Sequence, residues 1–119
     1  MNVTIHEIND TKIAEISSDA VLISSPEEGL QILVDVYYQD IDKIVLHKRN
    51  IISDFFDLKT GIAGEILQKF SNYKVRLAIV GDFSGLEGTS ITAFMSESNS
   101  QKQVNFSKTV EEALRRLSN

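Results

Sequence analysis

The chain has 119 residues, enough for one hydrophobic core and too few for two ordinary domains, so residues 1–119 are read as a single domain. With 42% hydrophobic and 24% charged residues it has the composition of a soluble globular protein, and the absence of cysteine excludes disulfides, zinc-thiolate sites and a thiol nucleophile. A net charge of −5 argues against a nucleic-acid binder, which needs a concentrated positive field, although Lys43, His47, Lys48 and Arg49 lie close together. No apolar run approaches the ~20 residues that span a bilayer. The stretch Met1-Asn2-Val3-Thr4-Ile5 has neither the basic nor the apolar region of a signal peptide. A cytoplasmic location without membrane contact is therefore expected.

Val3, Ile5 and Ile8 lead into Asn9-Asp10, a turn signal, and then into Lys12 to Ile16, which together predict a β-hairpin. Ala20 to Ile23 is a short apolar run of irregular or strand-like character. Ser25-Pro26-Glu27-Glu28 starts a helix, with a hydroxyl at the N-cap, proline in the first turn and acids near the positive end of the dipole. It should run to about Tyr38 with Leu30, Leu33, Val34 and Tyr37 on its apolar face. Lys43 to His47 and Lys74 to Asp82 read as strands, and the apolar runs Ile44 to Leu46 and Leu77 to Val80 predict two adjacent central ones.

Between those strands, Ser53 or Asp54 is the expected cap of a helix that continues through Ile62, Ile66, Leu67 and Phe70. Gly85 to Gly88 breaks the chain, and Thr89 or Ser90 caps a helix through Met95. A polar loop, Ser96 to Lys102, then leads to a strand at Val104 to Phe106. Ser107 or Thr109 caps a last helix with Val110, Ala113, Leu114 and Leu117 on one side. The order is ββαβαβαβα. It predicts an α/β fold, a single mixed β-sheet of about five strands with four helices.

Asn50-Ile51, Asp54 to Glu65 (DFFDLKTGIAGE) and Arg76 to Phe83 carry a resemblance to a small bacterial family of functionally uncharacterised domains, which brings no activity with it. The topology also resembles the STAS domains, the sulfate-transporter and anti-sigma-factor-antagonist fold. That resemblance implies a regulatory domain in which a serine or threonine at the start of a helix can be phosphorylated. Leu58-Lys59-Thr60-Gly61 would occupy the comparable turn, with Thr60 as the phosphoacceptor. The turn departs from the STAS pattern, since no aspartate precedes a Ser-Ser pair and Lys59 stands where a small residue is usual.

Phe55 and Phe56 cannot both point inward from a regular helix, because adjacent side chains lie roughly 100° apart. Packing against the sheet edge and a neighbouring loop is weighed against a role for one of them in contacting a partner. Asp54 and Asp57, three apart, can cap a helix or supply paired carboxylates. Lys59-Thr60-Gly61 lacks the upstream glycine of a Walker loop, so nucleotide hydrolysis is not expected. Gly61 and Gly64 point to close backbone approach, since two glycines in a helix otherwise only weaken it. Asp82 and Phe83 follow a central strand at its carboxyl end, where ligand crevices form, and Asp82 could meet the Asp54–Asp57 turn there. His6 and His47 show no metal-binding spacing and suit structural or surface roles.

Two functions fit. One is a non-enzymatic regulatory or protein-interaction domain that meets an unidentified protein partner across Asp54 to Gly64 and the Asp82-Phe83 loop, with a homodimer left open. The other is a small-molecule or metal-dependent site, binding or enzymatic, built from Asp54, Asp57, Lys59, Thr60 and Asp82. The first is preferred because no complete catalytic constellation is present. No cofactor or metal is assigned.

Overall fold

A computed structural model describes residues 1–86 and 88–119. It begins with a hairpin of β1 (Asn2–Ile8) and β2 (Thr11–Ser17), paired antiparallel. Asn9 and Asp10 connect them at φ 53° and 61°. Both central residues of a type I′ hairpin turn need positive φ, and asparagine and aspartate tolerate it better than most. Three parallel strands follow, β3 (Lys43–His47), β4 (Arg76–Val80) and β5 (Val104–Ser107), and the sheet order is β1-β2-β3-β4-β5. The crossovers carry α1 (Pro26–Tyr37), α2 (Ile62–Asn72) and α3 (Thr89–Asn99), and α4 (Val110–Leu117) comes last. The predicted α/β architecture, element order and central pair of strands are those observed.

The strands separate two cores by their alternation. Ala14, Ile16, Ile44, Leu46, Leu77, Ile79, Val104 and Phe106 share the larger one with residues of α1, α2 and α3. Ile13, Val45, Ala78 and Val80 face the other way and are sealed by Ala113 and Leu117 of α4. Arg76 fastens that helix, donating to the carbonyls of Arg116, Leu117 and Asn119 at its end and of Lys102 before β5, at 2.8–3.4 Å.

Ser25 caps α1 through Glu28 N, and Thr109 caps α4 through Glu112 N, as expected for these residue types. Other boundaries and faces differ from expectation. The buried stripe of α1 is Gly29, Ile32, Leu33 and Val36, while Leu30 and Val34 are half-buried and Tyr37 is exposed. Both stripes have helical spacing, and Gly29 decides between them. A Cβ there would lie 3.4 Å from Ile66 Cγ2, so it is at Gly29 that α1 closes on α2. Helix α3 extends to Asn99 through residues predicted as loop. Asn99 accommodates the extra turn by exchanging two hydrogen bonds with the Phe106 backbone, at 2.6 and 3.2 Å.

The expected helix from Ser53 or Asp54 is instead two short 3₁₀ turns, Ser53–Phe56 and Leu58–Thr60, preceded by a third at Lys48–Asn50, with α2 starting only at Ile62. Asp57 is extended (φ −99°, ψ 101°) and its carboxylate takes Lys59 N. Side-chain bonds of this kind offer the backbone an alternative to the helix. No helix among the described residues is long and apolar enough to cross a membrane.

Candidate functional site

The stretch between β3 and α2 forms one end of the molecule, at the carboxyl edge of the parallel strands. It is pinned from below by Asn50, a fully buried side chain whose Nδ2 donates to Ser18 O (2.7 Å) and Ala20 O (2.9 Å). Leu22 N and Ile23 N donate to Asn50 O, and Ile52 N donates to Ile23 O, so the link between β2 and α1 lies alongside residues 50–52. An Ile23–Ile51 bridge completes that contact, which gives the apolar run Ala20 to Ile23 its role.

Phe55 and Phe56 are both buried, 1% and 8% exposed, with ring centroids 4.9 Å apart and edge-on. The 3₁₀ turn breaks off directly after them, so neither is forced onto an outer helical face. Phe56 meets Phe83 at 5.8 Å and Phe106 of β5 at 6.5 Å. The aromatics therefore form a floor, and neither Phe55 nor Phe56 offers an exposed anchor.

Above this floor Asp54, Asp57, Lys59, Thr60 and Gly61 are exposed. Their arrangement is tied by Thr60, whose Oγ1 lies 2.8 Å from Asp54 O and 2.9 Å from Asp57 O, and accepts from Ile62 N at 3.3 Å. Gly61 follows at φ 75°, a left-handed conformation that costs a residue with a Cβ about 1–2 kcal/mol. The Thr60 hydroxyl thus stands next to the start of α2.

The expectation that Gly61 and Gly64 face another backbone is overturned. A Cβ at either would find nothing within 4 Å, and both line an open groove of 630 Å³ with Pro26, Glu27, Glu65 and Lys69, between α1 and α2. The two glycines keep a channel clear.

Of the predicted site residues, Asp82 on one side and Asp57 and Lys59 on the other fall into separate concavities. Asp82 lines an open cavity of 640 Å³ with His47, Lys48, Arg49 and Phe56. Asp57 and Lys59 line another of 310 Å³ with Thr89 and Ser90 at the start of α3. Phe56 contributes to both and stands as the wall between them. Asp82 accepts from Ser84 Oγ (2.6 Å) and Ser84 N (3.0 Å), which holds its carboxyl below the ordinary range despite slight desolvation, with help from the charges of Lys48 and Lys108. Among the described residues no cluster of three or more histidine, aspartate or glutamate side chains is arranged to hold a metal ion.

Sequence reasoning did not single out Glu15 or Gly81. Glu15 Oε1 and Oε2 meet His6 Nε2 (2.8 Å) and His47 Nε2 (3.0 Å), linking β1, β2 and β3 across one face. The β1–β2 register puts His6 and Glu15 on one face, and the β2–β3 register brings His47 to them. At Gly81 a Cβ would sit 2.6 Å from Lys48 Cβ, so the glycine is what lets the lysine stem cross the end of β4.

No curated protein matches the sequence. Among solved structures, one from Thermotoga maritima, described as a candidate anti-sigma factor antagonist, superposes with a TM-score of 0.52 over 98% of this chain and 95% of its own, at 16% identity. At that identity the likeness is one of fold, and the fold is STAS-like. A family described as a domain of unknown function (DUF4180) matches residues 8–117, and the chain belongs to that family.

Proposed function

We propose that the protein is a small regulatory domain that binds a protein partner through the exposed turn Asp54–Gly61 and the adjoining α1–α2 groove. The observation that carries this reading is the combination of an exposed polar turn with a fixed shape. Thr60 ties the carbonyls of Asp54 and Asp57, and Phe55 and Phe56 support the turn from below. A surface fixed before encounter loses little entropy on binding. The groove floored by Gly61 and Gly64 adds concave area beside it. The STAS-like neighbour, described as a candidate anti-sigma factor antagonist, supports a partner of that regulatory kind.

Thr60 is the proposed switch. A phosphate on its Oγ1 would remove the hydroxyl proton shared with the two carbonyls and place about two negative charges beside Asp54 and Asp57. Both effects oppose the present shape of the turn. The alternative, a single small-molecule site using Asp57, Lys59 and Asp82 together, is disfavoured by the Phe56 wall between them.

The test is affinity capture from a native extract with the wild-type domain, Thr60→Glu, and Lys59→Glu. All three should keep similar thermal midpoints apart from a modest loss in Thr60→Glu. A protein retained by the wild type and lost by both variants supports the reading. Equal retention by all three, or retention that Asp82→Asn alone abolishes, refutes it.

A further inference from the structure

The 640 Å³ cavity at the carboxyl ends of β3 and β4 has a composition that the partner reading does not use. Its walls are apolar, with Ile51, Phe56, Val80 and Leu86, and its rim is basic, with Lys48 and Arg49. Cavities of roughly 300–1,000 Å³, largely apolar with a few placed polar groups, are the usual form of small-molecule sites. In a chain with net charge −5 two adjacent cations on one rim are a local inversion of sign.

The cations are held in place. Lys48 Nζ donates to Asp82 O at 2.8 Å and sits 5.9 Å and 5.7 Å from the Phe56 and Phe83 ring centroids. Gly81 makes this possible, since any side chain there would strike the lysine stem. Arg49 donates through Nε to Ser18 O (3.1 Å), which orients the guanidinium and uses only one of its five donors. Neither cation has a carboxylate within ion-pair distance among the described residues. The one acid of the cavity, Asp82, turns its Oδ1 toward Ser84 of its own loop. Ser53 adds a hydroxyl to the same lining.

We infer that this cavity binds a small organic anion, a carboxylate or phosphate ester whose apolar body lies against Phe56, Val80 and Leu86 while its acid group meets Lys48 and Arg49. Arg49 supplies a planar fork suited to either head group, and Lys48 a point charge beside it. This inference is independent of the partner reading, because none of its cations lies on the turn or groove assigned to the partner.

The experiment is a titration followed by amide NMR, using phenyl phosphate and phenylacetate as probes, with benzyl alcohol as the neutral control and inorganic phosphate as the control that lacks the apolar body. At least one anionic probe should give saturable shifts at Lys48, Ser53, Gly81 and Leu86, and bind more tightly than either control. Arg49→Gln should weaken that probe about tenfold, the share of one charge-assisted hydrogen bond, and leave benzyl alcohol unchanged. Should the variant fold poorly, added salt in the wild type should weaken the anion and spare the alcohol. Anionic probes no tighter than benzyl alcohol, shifts confined to another face, or affinities indifferent to both salt and Arg49→Gln would overturn the inference.

Discussion

Replacing Gly64 by alanine is expected to stabilise the protein. Gly64 is the third residue of α2, exposed, with open space where a Cβ would stand. Alanine therefore introduces no clash and restricts the unfolded chain, a gain of about 0.5–1 kcal/mol. An unfolding entropy near 2.1 cal/mol/K per residue comes to about 0.25 kcal/mol/K over 119 residues. The midpoint should then rise by about 2–4 °C in differential scanning calorimetry. Gly64→Leu should likewise not lower the midpoint, because the longer side chain extends into the α1–α2 groove and not into packed atoms. It should nonetheless reduce partner capture by filling the channel. A fall in the midpoint of Gly64→Ala would mean that a neighbouring backbone lies against this glycine, and would refute the groove.

Phe56→Ala should cost about 3–5 kcal/mol, read from chemical denaturation, since the ring is buried against Phe55, Phe83 and Phe106. Arg76→Ala should cost about 1.5–3 kcal/mol and speed amide exchange in the last turn of α4, whose carbonyls it holds. Burial acts to raise the pKa of Glu15, but hydrogen bonds from His6 and His47, and their positive charge, outweigh it and hold the carboxyl below its ordinary 4.5. The stability this confers is present above that value and lost as pH falls through the lower folded-state pKa. In acid-unfolding profiles the advantage of wild type over Glu15→Gln should therefore shrink below pH 4.5, and an advantage that grows there would contradict the geometry.

The sheet was legible because its signals are local. Asn9-Asp10 specifies a hairpin turn, Ser25-Pro26 a helix start, and the unbroken apolar runs in β3 and β4 a place in the middle. The candidate site was less so. Asp57 and Thr60 read equally well as helix caps and as competitors of the helix, and what they do depends on Asp54 O being within reach of the Thr60 hydroxyl. Gly64 shows the same limit. A glycine in a helix has one sequence signature and two physical causes, close approach and open space, and only the surroundings distinguish them. The Lys48–Gly81 contact joins residues 33 positions apart and has no periodicity to betray it.

The agreement between strand order and chain order has a consequence for how the protein is made. Each parallel strand docks on the edge left by its predecessor, so during translation the sheet can grow in the order of synthesis and no strand must wait for a later one to separate it from its neighbour. The helical side of the sheet is covered step by step, by α1, α2 and α3. The other side has no such cover. Among the described residues, Val45, Ala78 and Val80 are sealed by Ala113 and Leu117, with Val110 and Leu114 packed beside them, all from the last helix. A ribosome-bound chain that has completed β4 therefore presents a bare apolar face until α4 emerges, and its greatest exposure to aggregation falls just before synthesis reaches that helix.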